Sequence, residues 1–281
     1  MQTVILIFTG VLGVIVGSFL NVVILRYNTG KGIGGRSMCM ACRKTLSWYE
    51  LLPLVSFVIQ NGRCRSCGAR LSMQYFIVEL LTGVSFVLVA SRYVSNILVS
   101  SEQSLALLFG FVLVSLFMII AVYDLRHLIM PDAFVASFVG LSVIQLFVPI
   151  LSGGTTWFAL PTLLQVLAGV VVPLPFLILW LISKGRWIGF GDIKFMVGIG
   201  LLLGLAQGIT AVIFSFWIGT IWILGLYVFR VIMQLLSTRR FEDLGLHRII
   251  GREIPFAPFL ILATFIIFVS RFDLLAFLTH F

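Results

Sequence analysis

Asp192 lies in the run Trp187-Ile188-Gly189-Phe190-Gly191-Asp192-Ile193-Lys194, where a long apolar segment resumes. A carboxylate at a membrane boundary is costly to leave charged and unpartnered, which marks it as a functional candidate. Gly189 and Gly191 remove side chains beside it, so another backbone or a substrate can approach closely. A second acid, Asp124, follows the apolar run that ends Ala121-Val122-Tyr123. Two carboxylates brought together in a low-dielectric site cannot both ionise readily, so one keeps a proton while the other is charged. The charged one can activate water, the protonated one can donate to a scissile carbonyl, and the two then exchange roles. That is the chemistry of aspartic proteolysis.

Each acid also has a plainer reading. Asp192 suits a helix cap, Asp124 a topology marker beside Arg126, and Asp132, after Pro131, a cap at the start of a span. The chain holds only 10 acids in all, so two on one membrane face favour catalysis over coincidence. Lys194 is read as support for the site, paired with either a carboxylate or a lipid phosphate. His127 reads as a boundary residue. Glu79, inside an apolar run, needs a partner and serves either substrate binding or structure.

The second chemical cluster is Cys39-x2-Cys42 and Cys64-x2-Cys67, separated by the 21 residues 43 to 63. Two such knuckles offer four thiolates, the tetrahedral set that structural zinc prefers. On a reducing face paired disulfides are disfavoured, and zinc is preferred over free or redox thiols. With no fifth polar ligand in view, the site is expected to be closed and structural. Removing the metal is expected to unfold the surrounding loop.

The elements that must position these groups follow from composition. The chain of 281 residues is 60% hydrophobic, 10% charged and of net charge +9. Apolar runs this long and unbroken imply an all-α polytopic membrane protein, not a soluble core or a barrel. Spans are expected near 4–25, 74–91, 105–123, 133–150, 161–183, 193–207, 208–230 and 255–272, with a tight turn near Gln207-Gly208 between the sixth and seventh. The first lacks a basic n-region and a small-residue cleavage site, so it is read as retained. Its Gly10, Gly13 and Gly17 share a face suited to close helix packing. Residues 1–25 are thus the first helix, 26–73 a cytoplasmic zinc-ribbon-like loop, and 74–281 a multi-span domain carrying the aspartates. The segments 26–73, 124–132, 184–194 and 230–254 hold 17 of the 19 Lys and Arg residues. The bias puts them on the cytoplasmic side and both termini outside. It also explains the positive charge as topology, without nucleic acid.

The ordered motifs resemble those of bacterial type IV prepilin peptidases, also called leader peptidase/N-methyltransferases. They comprise Gly17-Ser18-Phe19-Leu20-Asn21-Val22-Val23-Ile24, both cysteine pairs, Leu46-Ser47-Trp48-Tyr49-Glu50-Leu51-Leu52-Pro53 and Tyr75 to Glu79. Asp124 with Leu128 to Asp132, Gly189 to Lys194, and Ile254-Pro255-Phe256-Ala257-Pro258-Phe259 complete the set. Ala257 replaces a glycine of the family's late Pro-Phe-Gly-Pro segment. The resemblance covers nearly the whole chain. It implies cleavage of prepilins or pseudopilins after the glycine of a short basic leader, at the cytoplasmic face of the inner membrane. It further implies N-methylation of the new terminus with S-adenosylmethionine, with Asp124 and Asp192 at the catalytic positions and the four cysteines at the zinc positions.

No glycine-rich nucleotide fingerprint locates the methyltransferase, which is assigned provisionally to 26–80. Glu50, Glu242 and Asp243 are expected to offset the basic leader. Two other readings stand beside this one: a presenilin or signal-peptide-peptidase type of intramembrane protease, and a proton- or ion-coupled transporter. Open at this point are the filament system served, the oligomeric state, and which aspartate holds the shared proton.

Overall fold

The computed structural model describes residues 1–30, 32, 34–93, 101–147, 160–235 and 255–279. The apolar runs become helices because a chain crossing hydrocarbon must satisfy its backbone N–H and C=O groups internally. In chain order these are α1 (Gln2–Arg26), α2 (Val55–Ile59), α3 (Met73–Tyr93), α4 (Ser101–His127), α5 (Asp132–Phe147) and α6 (Leu163–Val171). There follow α7 (Leu174–Ser183), α8 (Phe190–Leu203), α9 (Leu205–Leu235), α10 (Ala257–Ser270) and α11 (Leu274–Thr279). A 3-10 turn, Trp48–Leu51, precedes α2. Among the described residues there is no strand, only isolated bridges of Met38 with Thr45 and Arg63 with Arg70.

Among the described residues, five helical stretches are long and apolar enough to cross a bilayer: Gln2–Arg26, Met73–Tyr93, Gln103–His127, Leu163–Ser183 and Leu205–Ile232. The remaining expected spans correspond to α5, α8 and α10, of 16, 14 and 14 residues, which are shorter. The chain divides into two compact units, with the boundary between Val122 and Tyr123 near the end of α4.

In the first unit, α1 and α3 run antiparallel along the glycine face read from the sequence. A side chain at Gly10 would meet Val87 at 3.0 Å, at Gly13 the Cα of Gly83 at 2.9 Å, and at Gly17 the Cα of Glu79 at 2.8 Å. In lipid, helix association depends on such close packing because apolar burial alone gives no advantage over contact with acyl chains. Phe86 of α3 stacks on Phe111 of α4 with ring centroids 4.1 Å apart.

In the second unit, α8 is held between α5 and α6. Gly198 lies against the Phe138 ring, which also stacks on Phe195 at 4.5 Å, and Gly200 lies against the backbone of Ala168 and Gly169. These contacts fix the helix that carries Asp192. The turn between α8 and α9 falls at Gly204, not at Gln207-Gly208 as expected. Gly204 has φ +79°, a conformation that a Cβ would disfavour. Gly208 instead sits in the first turn of α9, where a side chain would meet Val172 at 3.1 Å.

Candidate active site and cysteine cluster

Both sequence-selected aspartates belong to the second unit. Asp124 is in the last turn of α4, and Asp192 is in the first turn of α8. They are near enough that the charge of Asp124 acts on Asp192. Asp192 also interacts with the backbone N–H of Gly189, the N-cap residue of its own helix. Asp124 is buried and receives the backbone N–H of Ala257, at the start of α10. An N–H of a first helical turn has no partner within its own helix and suits a carboxylate. The other oxygen of Asp124, Oδ2, is buried with no hydrogen-bond partner among the described residues. A buried carboxylate oxygen left in that state is poised for a proton, a water or a substrate group.

The two glycines are there for space. Gly189 has ordinary extended torsions, φ −70° and ψ 139°, but a side chain on it would approach Asp192 Oδ2 at 3.1 Å. A side chain on Gly191 would meet Met130 Cβ at 3.0 Å. The connection Leu128–Pro131 therefore packs directly on the turn that presents Asp192. That connection starts at Leu128, with φ +56°, whose N–H donates to Asp124 O at 2.8 Å. Lys194 donates to Asp132 Oδ1 at 2.8 Å and lies 5.0 Å from the centre of the Phe190 ring. Its partner is thus a carboxylate. Asp132 begins α5, so the pair ties the start of α5 to the start of α8.

Ala257 is the contributor that inspection of side chains missed. Its backbone N–H acts, and only the Ile254-Pro255-Phe256-Ala257-Pro258-Phe259 motif signalled the position. Ala257 stands in a regular helix start without positive φ, so alanine fits where the related motif has glycine.

In the first unit, Glu79 accepts the N–H of Leu54 at 2.7 Å and interacts with Ser18. Asn21 bonds to the carbonyls of Gly17 and Tyr75, and its carbonyl accepts from Gln74 at 3.4 Å. Glu79 is thereby structural. Glu50, expected to answer a basic leader, is buried and accepts the Ser47 N–H at 2.8 Å, closing a capping box. It is turned inward and is not available to a leader, which corrects that expectation. Glu242 and Asp243 lie outside the described residues.

The four cysteine sulfurs lie within 4.8 Å of one another, with Cys39 and Cys67 Sγ 3.9 Å apart. Ligands about 2.3 Å from a tetrahedral ion would be roughly 3.8 Å apart, so the set fits a metal ion with slight closure. The two knuckles are built alike. Cys39 N–H donates to Lys44 O and Arg43 N–H to Cys39 O; Cys64 N–H donates to Ala69 O and Gly68 N–H to Cys64 O. Arg43 and Gly68 occupy the same place in each and both have positive φ. Lys44 Nζ, 2.7 Å from Ser66 Oγ, joins the knuckles. The N–H groups of Cys42 and Ala41 pull the Cys39 thiol down to about 6. At Cys67 the Ala69 N–H also favours thiolate, but the neighbouring sulfurs, Cys64 foremost, push it up to about 11. Such a cluster holds four thiolates only around a cation.

Fold and sites together define a helical multi-pass membrane protein with a paired-carboxylate centre and a four-cysteine loop. The bacterial peptidase A24 N-terminal domain matches residues 11–93, and the type IV leader peptidase family matches residues 111–224. A prepilin leader peptidase/N-methyltransferase of Bacillus subtilis (strain 168) is 33% identical over 190 residues, 68% of this chain and 70% of that one. One from Klebsiella pneumoniae is 30% identical over 207 residues, 68% of this chain and 82% of its own. One from Aeromonas salmonicida (strain A449) is 30% identical over 247 residues, 82% of this chain and 70% of its own. No solved structure matches the chain. The chain belongs to the type IV leader peptidase family.

Proposed function

We propose that this protein is a membrane aspartic endopeptidase that removes the short basic leader of type IV prepilins or pseudopilins, and that it N-methylates the new terminus. The observation that carries the reading is the pairing of Asp124 with Asp192, one with a buried, unpartnered oxygen. In the reaction the charged member of the dyad takes a proton from water as the water attacks the carbonyl of the leader's terminal glycine. The protonated member donates to the carbonyl oxygen, and the proton then passes to the leaving amine. The Ala257 N–H holds Asp124 in place, while Gly189, Gly191 and the Lys194–Asp132 pair hold Asp192 in register.

The reading extends to topology. The eight apolar helical stretches each cross the inner membrane, with the dyad and the cysteine loop at the cytoplasmic face and both termini outside. The shorter α5, α8 and α10 cross with their polar ends at the dyad face. The substrate's apolar helix lies among the spans and leaves its junction at that face. The cysteine cluster holds structural zinc through Cys39, Cys42, Cys64 and Cys67. S-adenosylmethionine would supply the methyl group, and the transfer is assigned to the 26–80 region with no individual residues allotted to it. The family membership favours this reading over a presenilin-type protease or a transporter.

The test is leader removal followed by mass in a reconstituted system, comparing wild type with Asp124→Asn and Asp192→Asn. Each near-isosteric change should leave folding and substrate binding intact and lower cleavage by about 10²–10⁴-fold, the usual contribution of a general acid or base. A variant that cuts at the normal rate would reduce its aspartate to a cap. With S-adenosylmethionine added, the same spectra report the added methyl group.

A further inference from the structure

The loop between α1 and α3 contains an apolar run, Leu51-Leu52-Pro53-Leu54-Val55-Ser56-Phe57-Val58-Ile59, broken only by Ser56. It folds as the end of the 3-10 turn and the single-turn helix α2. Unlike a helix on a water-soluble surface, α2 is apolar on its outward side as well as its inward one. Phe57 turns inward, its ring 5.5 Å from that of Phe76 on α3 and in the space left by Gly62. Val55, Val58 and Ile59 point outward, with Val58 61% and Ile59 75% exposed. Leu51 and Leu52 beside them are exposed as well, and Trp48 is 76% exposed. Polar loops on a water-facing surface do not present a contiguous face of this kind.

The height of this face relative to the membrane helices is fixed by one hydrogen bond. Glu79 is the seventh residue of α3, about 9 Å along its axis from Met73. Its carboxylate, leaning back toward the helix start, accepts the Leu54 N–H at 2.7 Å. Leu54 has φ +60°, a conformation leucine rarely adopts, so the contact holds the chain where it would not otherwise rest. The apolar run thus lies beside the first turns of α3 and not beyond its end. In the same turns Ile77, and next Leu80 and Leu81, are exposed on a helix long and apolar enough to cross the bilayer.

Charge supports the same neighbour. The segment 26–73 carries eight basic residues and one acid, and that acid, Glu50, is committed to the Ser47 N–H. Arg63, Arg65 and Arg70 follow α2 directly and are not ion-paired among the described residues. Apolar and aromatic side chains bordered by cations match the boundary of an anionic leaflet, where acyl chains meet phosphate headgroups.

We propose that Leu51–Ile59 is an interfacial anchor. Its outward face enters the headgroup–acyl boundary of the leaflet from which the loop emerges, and the neighbouring arginines hold anionic phospholipid headgroups. The loop then lies on the membrane at a fixed height, stapled to α3 by Glu79. The inference uses the membrane-spanning assignment of α3.

The test is photo-crosslinking in the full-length protein. Benzoylphenylalanine replaces Ile59, and separately Val58, in nanodiscs of phosphatidylethanolamine and phosphatidylglycerol, with and without a prepilin. The same group at Gly32, in the exposed connector, is the water-facing control, and at Ile77 the lipid-facing one. Leader cleavage and metal content verify the fold of each variant. Phospholipid adducts at Ile59 or Val58 should exceed those at Gly32 by about tenfold and approach those at Ile77, as expected for an apolar face buried at the interface. Adducts at both sites no more frequent than at Gly32, while Ile77 reports lipid, would overturn the anchor and leave the membrane assignment standing. Prepilin adducts replacing lipid adducts would also overturn it and assign the face to substrate.

Discussion

Replacement of Gly191 by alanine tests whether the glycines beside Asp192 serve packing. The new Cβ would stand 3.0 Å from Met130 Cβ, 3.4 Å from Cγ and 3.5 Å from Sδ. Carbon atoms rest about 3.5–4.0 Å apart, so the turn and the 128–131 connection must separate by roughly 0.5–1 Å. The methionine cannot swing away, because the nearest atom is its Cβ, fixed to a backbone bounded by Pro131 and by the Leu128 N–H bond to Asp124 O. Overpacking of this kind costs about 1–3 kcal/mol. A shift near 1 Å at a reacting carboxylate lowers the rate by about 10²-fold. Gly191→Ala is therefore expected to cut prepilin about 10–10²-fold more slowly in a mass-based leader-removal assay, with normal amounts of protein in the membrane. The identity of the nearest atom sharpens the test. Adding Met130→Gly, which removes Cβ, should restore much of the rate, whereas adding Met130→Ala, which keeps it, should not. A wild-type rate for Gly191→Ala, or equal rescue by both second substitutions, would refute the reasoning.

The remaining predictions concern the supports of the dyad and the loop. Ala257→Gly should keep leader cleavage within a few-fold and cost at most about 1 kcal/mol, because the N–H to Asp124 survives; a large loss of cleavage would show that the methyl group matters. Lys194→Met and Asp132→Asn, at an exposed pair, should couple by no more than about 1 kcal/mol in a double-mutant cycle and weaken further in salt; a coupling of several kcal/mol would mean the pair is buried in the membrane-bound protein. Removing metal with a chelator should expose Arg43 and Arg65 to trypsin, because the two knuckles have little else to hold them. In hydrogen exchange, by contrast, the Leu54 amide and the turns of Trp48–Ile59 should stay protected, since Glu79 and Phe76 hold them independently; simultaneous loss of protection there and at the knuckles would show that the loop is one cooperative unit.

Much of this protein was legible in its sequence because the bilayer is a demanding solvent. Long apolar runs there have one economical backbone solution, so the helices, their order and the α1 glycine face followed from hydropathy and spacing. The cysteine cluster was legible because four soft ligands at knuckle spacing have few other uses, and the sulfurs do converge. Asp124 and Asp192 were singled out because charge is expensive at a membrane edge.

What the linear order withheld were the contacts between residues far apart in the chain. The partner of Lys194 depended on where α5 begins relative to α8. The role of Glu79 depended on a backbone N–H 25 residues earlier, and that of the late proline motif on an N–H 133 residues beyond Asp124. Backbone donors carry no residue-type signature, so no reading of side chains finds them. The turn at Gly204 was misplaced because two nearby glycines look alike in sequence; torsion demanded one and packing the other. Composition and spacing thus determined which groups are present and on what scaffold. Tertiary packing decided which of them meet, because close approach in lipid is set by shape and backbone hydrogen bonding and not by hydropathy.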